Sequence, residues 1–106
     1  MYELKFLEEA QQELEREIEY SAENWGAAHA LKYAKKMEEQ IKALQINPHI
    51  CPLRNDILPG IRIKKYKGNQ IIFTLQENQK LIVMLAILSI CQNMDKEKLA
   101  QRQKKG

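Results

Sequence analysis

Residues 59–90 decide the fold of this chain, and they have the sequence PGIRIKKYKGNQIIFTLQENQKLIVMLAILSI. Three short apolar-rich runs are separated by turn residues at Lys67-Gly68-Asn69 and at Gln76 to Gln79. Runs of this length with turn residues between them predict an antiparallel β-meander. The third run, Leu81 to Leu88, has no polar residue, so we expect a central strand that is covered on both faces.

The residues before the meander predict two helices. Apolar residues recur every three or four positions from Leu7 to Glu23 and again from Ala27 to Gln45, as in helices with one buried face. We expect Trp25 to close the first apolar stripe and Leu31 to broaden the second. Because few residues around Gly26 separate the two segments, they should form an antiparallel helical hairpin.

Short segments at both ends complete the predicted domain. Tyr2 to Phe6 alternates apolar and polar residues, which predicts a strand beside the free edge of the Leu81–Leu88 strand. Residues 96–104 predict a helix with Asp95 as its N-cap. That helix has little to bury, so residues 94–106 are expected to be a charged helix or tail, frayed or ordered by a partner. The prediction is one α+β domain over residues 1–106, in the order β-α-α-β-β-β(-α), with the hairpin on a small, mainly antiparallel four-stranded sheet.

Composition excludes several classes of protein. The longest apolar run is far too short to span a bilayer, and the first residues lack the pattern of a signal peptide. We therefore expect a cytoplasmic protein that does not bind a membrane. Cys51 and Cys91 are too few for a disulfide scaffold and are expected to be reduced. Neither His29 nor His49 has a neighbouring nucleophile or carboxylate in a recognisable arrangement, so the sequence assigns no metal site and no catalytic site to them.

Charge is distributed unevenly along the chain. Residues 1–25 contain eight acidic and two basic residues, whereas residues 26–106 contain six acidic and fifteen basic residues. The basic part could bind an acidic partner, or both faces could serve solubility alone. The cations of the first meander strand and of the C-terminal segment are the candidate target-binding residues: Arg62, Lys64, Lys65, Lys67, Lys96, Lys98 and Arg102.

Four short motifs in this order of elements resemble a known family. They are Asn24-Trp25-Gly26-Ala27, Leu44-Gln45-Ile46-Asn47-Pro48, the segment RNDILPGIR from Arg54 to Arg62, and QNMDKEKL from Gln92 to Leu99. Together they resemble the RelE/ParE superfamily of bacterial toxin–antitoxin toxins, also called plasmid stabilisation proteins, and in particular its ParE branch. The resemblance covers almost the whole chain.

The resemblance implies two alternative activities. ParE-like toxins are inhibitors of DNA gyrase without nuclease chemistry, whereas RelE-like toxins cut mRNA in the ribosomal A site. It also implies a cognate antitoxin as partner and no cofactor. The antitoxin is expected in the apolar groove between hairpin and sheet or on an exposed strand edge. A member that binds its antitoxin but is not toxic is a third possibility.

The chain departs from the nuclease pattern of the family. Gln70 stands where an Arg is usual, and Ile90-Cys91-Gln92-Asn93 stands where family members often carry a His and an Arg. Cleavage of RNA through its 2′-hydroxyl needs a base, an acid and cations. The cations are present, but no acid–base pair is found, so we assign no catalytic residue and expect a gyrase inhibitor, with mRNA cleavage as the alternative.

Overall fold

The computed structural model describes residues 1–89, 92 and 94–106. One strand, a helical hairpin, three strands and a final helix follow one another along the chain, as the sequence predicted. Their bounds are β1 Glu3–Phe6, α1 Glu8–Trp25, α2 Ala27–Ile46, β2 Arg62–Tyr66, β3 Asn69–Gln76, β4 Leu81–Ser89 and α3 Lys96–Lys105.

Strand β4 lies inside the sheet, whose strand order is β1-β4-β3-β2. It pairs in parallel with β1 and antiparallel with β3, so the predicted position of the first strand is confirmed. A register shift between Ile72 and Phe73 sends two consecutive residues of β4, Leu85 and Ala86, to the same face. All residues from Ile82 to Leu88 are buried, which matches the absence of polar residues from that run.

The helical hairpin covers one face of the sheet. The α1–α2 turn is made by Gly26, whose φ of 91° is open to glycine and costly for other residues. The side chains of Met37, Ile41 and Leu44 on α2 pack against Phe73 and Met84 of the sheet. The predicted stripe of α2 is therefore confirmed at these positions.

Two hydrophobic residues of the hairpin were placed wrongly by the sequence pattern. Trp25 is 61% exposed and Leu31 is 74% exposed, so neither extends the buried stripe. Instead, Trp25 packs against Tyr20 and His29, with ring centroids 5.9 and 5.5 Å apart.

Helix α3 covers the opposite face of the sheet, so the helix predicted over residues 96–104 is confirmed. Leu99 is 2% exposed and joins Ile61, Ile72 and Val83 in a second apolar cluster. Asp95 caps the helix as predicted, since its side chain accepts a hydrogen bond from the backbone N–H of Lys98. One buried leucine suffices to dock the helix because polar side chains hold the rest of it.

A partly buried ion pair joins α3 to α1 at the edge of β4. Arg102 donates two hydrogen bonds to the Glu13 carboxylate, at 2.9 and 3.1 Å, and a third to the Leu85 carbonyl at 3.0 Å. Glu13 also accepts from the backbone N–H of Ile87 at 3.2 Å. Because β1 ends opposite Met84, these two side chains satisfy backbone groups of β4 that no strand reaches.

The loop before β2 is held to the domain at some of its apolar residues. Ile57 and Leu58 are half-buried, but Ile50 and Leu53 are 66% and 49% exposed.

Among the described residues, no helix is long and apolar enough to cross a membrane.

We expect loss of the Arg102 guanidinium to destabilise the protein. Arg102→Met leaves the Glu13 carboxylate without its cation and the Leu85 carbonyl without a donor. The free energy of unfolding should fall by about 3 kcal/mol, the low end for broken buried pairs because both side chains keep some exposure. Urea denaturation followed by circular dichroism measures this change.

Lys98→Met is the matched control, because Lys98 lies on the same helix and is exposed. Its effect should stay within about 0.5 kcal/mol. Equal stability of the two variants would contradict a structural role for the Glu13–Arg102 pair.

Candidate functional site

The cations of the first meander strand lie on the free edge of the sheet, but they face two sides. Because side chains alternate along a strand, Arg62 and Lys64 point to the hairpin side with Tyr66, and Lys65 points to the α3 side with Ile63. Lys67 lies in the turn after β2, with a φ of 51° and its ammonium 5.8 Å from the Tyr66 ring centroid. The basic strand is thus an edge with charge on both faces, not one flat patch.

The cations of the C-terminal segment are divided in the same way. Lys96 and Lys98 are exposed on α3, on the side of the sheet that Lys65 faces. Arg102 donates hydrogen bonds to Glu13 and to the Leu85 carbonyl, so its charge stabilises the fold. Of the seven candidate residues, four are exposed lysines and Lys64 is partly buried, whereas Arg62 and Arg102 donate to backbone carbonyls.

Arg62 is the most constrained cation of β2. It donates to the carbonyl of Cys51 at 2.5 Å, and its buried Nε has no hydrogen-bond partner. Cys51 itself is a free thiol beneath the loop, and burial raises its pKa although Lys64 and Arg62 act in the opposite direction. Cys91, the other cysteine, lies outside the described residues, as do Ile90 and Asn93.

A cluster that the sequence analysis missed lies next to Arg62. His49 Nε2 is 2.7 Å from one oxygen of the Glu77 carboxylate, and the Tyr2 hydroxyl donates to the other oxygen at 3.2 Å. The Tyr2 and His49 rings meet edge to face. Glu77 is 28 positions from His49 and 75 positions from Tyr2, so no local pattern in the sequence predicts these contacts.

The electrostatics of this cluster keep Glu77 ionised and Tyr2 protonated. The hydrogen bond from His49 lowers the pKa of Glu77, and the Tyr2 hydroxyl and the charge of Arg62 add to this effect. Partial desolvation and the neighbouring Glu77 carboxylate raise the pKa of Tyr2, although Arg62 opposes them. The cluster therefore combines a histidine, an ionised carboxylate, a phenol and a nearby cation, which the sequence had not brought together.

An apolar groove of about 370 Å³ lies between β1 and the hairpin. Leu4 and Phe6 form one wall, and Leu14, Met37 and Ile41 form the other. Charged and amide side chains stand at its rim, where Glu38 and Lys42 form an exposed ion pair 3.2 Å long. This is the groove that the sequence analysis named as a surface for the antitoxin.

The described residues contain no group of three or more His, Cys, Asp or Glu side chains able to hold a metal ion. His29, the second histidine, forms a 2.9 Å hydrogen bond with the buried Ser21 hydroxyl. Such a contact ties the two helices of the hairpin together.

Comparison with known proteins identifies the class to which this fold belongs. Residues 4–93 match the family model described as the ParE toxin of the type II toxin–antitoxin system parDE. The chain therefore belongs to the ParE toxin family. The match ends before α3, so the helix that closes the second face of the sheet lies outside the family model. None of the curated proteins compared with the chain matches it.

Solved structures agree with this assignment. The chain is similar to a chain of the chromosomal ParDE toxin–antitoxin system from P. aeruginosa, with 25% sequence identity and a TM-score of 0.71 over 84% of this chain and 96% of that one. It also shares its fold with the intact RelBE toxin–antitoxin complex of E. coli, at 17% identity and a TM-score of 0.54, over 84% of this chain and 96% of that one. The isolated RelE toxin of E. coli aligns over 98% of this chain and 99% of its own, at 16% identity and a TM-score of 0.55.

We expect the contribution of Glu77 to stability to vanish in acid. A carboxyl whose pKa is lowered by folding stabilises the protein above its unfolded pKa and ceases to do so as pH falls through the folded pKa. Glu77→Gln should therefore lower the melting temperature at pH 6 but not once the pH is well below 4.5, the ordinary value for this group. Thermal melts over a pH series measure the difference.

Glu39→Gln is the control for this series, since Glu39 is exposed and forms no ion pair within the described part of the chain. A difference between wild type and Glu77→Gln that stayed constant down to pH 2 would contradict the assignment.

Proposed function

We propose that this ParE-family protein is a toxin that inhibits DNA gyrase by binding rather than by catalysis, and that a cognate antitoxin neutralises it. The observation that carries the proposal is the family match over residues 4–93. The P. aeruginosa neighbour belongs to a ParDE toxin–antitoxin system, which supports an antitoxin as partner of this chain too. Gln70 in the place of the usual Arg argues against the nuclease branch.

The target-binding surface in this proposal is the free edge of β2. Lys64 and Lys65 present charge on opposite faces of one edge strand, and Lys67 extends this charge to the turn. Lys96 and Lys98 of α3 add positive charge on the side that Lys65 faces. An edge of this kind attracts an acidic protein surface or DNA held in an enzyme complex through charge complementarity. Charged residues on an edge strand also keep it from aggregating, so the proposal is tested directly on the two lysines of β2.

We expect charge reversal on β2 to weaken toxicity. Lys64→Glu/Lys65→Glu replaces two positive charges by two negative ones on the binding edge. Gyrase inhibition in a supercoiling assay with purified protein should weaken by about tenfold or more, at about 1 kcal/mol for each reversed contact. Growth after controlled induction in a bacterial host should recover accordingly.

Lys32→Glu/Lys35→Glu is the matched control, because both lysines are exposed on α2 and change the net charge by the same amount. It should inhibit gyrase as the wild type does. Equal loss of inhibition in both variants would show that net charge alone causes the effect. Wild-type protein that does not inhibit gyrase would contradict the proposed target.

The alternative function is ribosome-dependent mRNA cleavage, and the cluster around Glu77 is the observation that favours it. His49 could accept the 2′-hydroxyl proton, Arg62 could bind the phosphate, and the protonated Tyr2 could donate to the leaving 5′-oxygen. His49 and Tyr2 both contact the Glu77 carboxylate at the distances given above, and the charge of Arg62 is close enough to lower the pKa of that carboxyl. The sequence alone had supplied the cation without the acid and the base.

If this alternative holds, purified protein added to translating ribosomes cuts mRNA at codon positions, and His49→Ala abolishes the cuts. His29→Ala, which alters the histidine of the hairpin tip, should leave them unchanged. Intact mRNA with the wild-type protein would reject the nuclease function and leave gyrase inhibition as the activity to measure.

A further inference from the structure

The half of helix α1 that leads to the hairpin turn carries an acidic stripe. Glu15, Glu19 and Glu23 recur every four residues and are exposed. Because side chains turn by about 100° per residue along a helix, Glu19 points to the side opposite Ala10, which is buried in the core beneath the hairpin. The acidic stripe therefore lies on the outer surface of the hairpin, away from the sheet.

The first half of helix α2 carries a basic stripe on the same outer surface. Lys32 and Lys35 are exposed, and their positions on the helix place them on the side opposite Met37, which is buried. Leu31, beside Lys32, is 74% exposed. Residues 27–37 contain no acidic residue, so this half of the helix is basic throughout.

The two stripes are not neutralised within the chain. None of their five charged side chains forms an ion pair with another described residue. Glu15 accepts one hydrogen bond, from the uncharged Gln11 side chain. Like charges four residues apart on a helix destabilise it, and the glutamates of α1 have this spacing. A partner that brings cations to α1 would remove this repulsion.

Other charged side chains of the hairpin lie outside this surface or are already paired. Arg16 lines a cavity between α1 and the end of β4, together with Glu17 and Tyr20, so it lies on the flank of α1. Glu38, in the second half of α2, pairs with Lys42 at 3.2 Å. The outer surface near the hairpin turn is therefore acidic along α1 and basic along α2.

This pattern selects its partner by charge. An acidic partner would be attracted by α2 and repelled by α1, and a basic partner would meet the reverse. A second copy of the same surface is attracted by both helices, because it offers a basic stripe to α1 and an acidic stripe to α2. Electrostatic complementarity of this kind determines which surfaces associate.

We propose that the partner of the outer hairpin surface is a second copy of this chain, related by a two-fold axis that runs along the hairpin between α1 and α2. Rotation about this axis sets the acidic stripe of each copy against the basic stripe of the other. The interface is isologous, with the same surface on both copies. The lysines of the proposed target-binding surface, on β2, its turn and α3, lie outside it.

The hairpin itself determines which residues meet. Ser21 and His29 form a 2.9 Å hydrogen bond, so they lie at the same level of the two antiparallel helices. Glu15 precedes Ser21 by as many residues as Lys35 follows His29, so these two are also level. A two-fold axis along the hairpin preserves the levels. Glu15 of each copy therefore meets Lys35 of the other.

The remaining positions of the surface agree with this pairing. By the same count, Glu19 is level with Leu31 and lies within one residue, about 1.5 Å of rise, of Lys32. Glu19 of each copy thus meets Lys32 of the other, and Leu31 adds apolar surface that the contact buries. Glu39, the exposed acidic residue farther along α2, is level with Gln11, which carries no charge.

The experiment is a charge-reversal series on the full chain, measured by sedimentation equilibrium. Wild type should dimerise at low salt and dissociate as salt rises, because exposed charges are screened. Glu15→Lys/Glu19→Lys makes both helices basic, and Lys32→Glu/Lys35→Glu makes both acidic. Each variant should weaken the dimer by at least about tenfold, since every proposed charge contact becomes repulsive.

Mixing the two variants provides the sharpest readout. One carries only basic stripes and the other only acidic stripes, so an equimolar mixture should form heterodimers although each variant alone stays monomeric. Lys96→Glu/Lys98→Glu is the matched control, because both lysines are exposed on α3 and the net charge changes as in the α2 variant. It should dimerise as the wild type does. Circular dichroism checks that each variant keeps its fold.

Four results would overturn the proposal. One is a wild-type protein that stays monomeric into the millimolar range at low salt. A dimer that survives either reversal has its interface elsewhere. A mixture of the two variants that remains monomeric shows that the stripes do not face each other. Equal weakening by the α3 control shows that net charge alone sets the association.

Discussion

Strand β4 has to be enclosed on both faces and along both edges, and the remaining elements are arranged to do this. Its buried run from Ile82 to Leu88 offers no polar side chain to water, and its backbone groups need partners inside the protein. Strand β3 supplies one edge, and β1 supplies the first half of the other. The hairpin covers one face and α3 the second, while Glu13 and Arg102 complete the edge that β1 leaves uncovered. Glu13 and Arg102 thus form the hydrogen bonds to β4 that a longer neighbouring strand would form.

The two outer strands of the sheet differ in charge and in what borders them. Strand β2 carries cations on both faces and has no acidic residue. Strand β1 is short, carries one charge of each sign, borders an apolar groove and is held at its start by Gln45 of α2. One edge strand of the sheet, β2, is therefore basic, whereas the other, β1, has no net charge.

Local patterns in the sequence predicted the elements, whereas contacts between distant residues could not be predicted. The uninterrupted apolar run correctly indicated a central strand, and the spacing of Met37, Ile41 and Leu44 correctly indicated the face of α2. Trp25 was misplaced because periodicity does not show how far along a helix the buried contacts continue. The role of α3 was missed because a polar helix with one leucine gives little periodic signal. The contacts Glu13–Arg102 and His49–Glu77 join residues 89 and 28 positions apart, beyond the reach of any local pattern.

The position of β4 along the chain also has a consequence for synthesis. Chains are made from the N-terminus, so α1 and α2 emerge well before the strand on which they pack. Until residues 81–89 follow, the apolar stripe of the hairpin has no sheet to cover it, and Glu13 lacks the arginine that neutralises it. The nascent hairpin is therefore a segment that chaperones can bind, and the time between its emergence and that of β4 is the period in which the chain is most prone to aggregate.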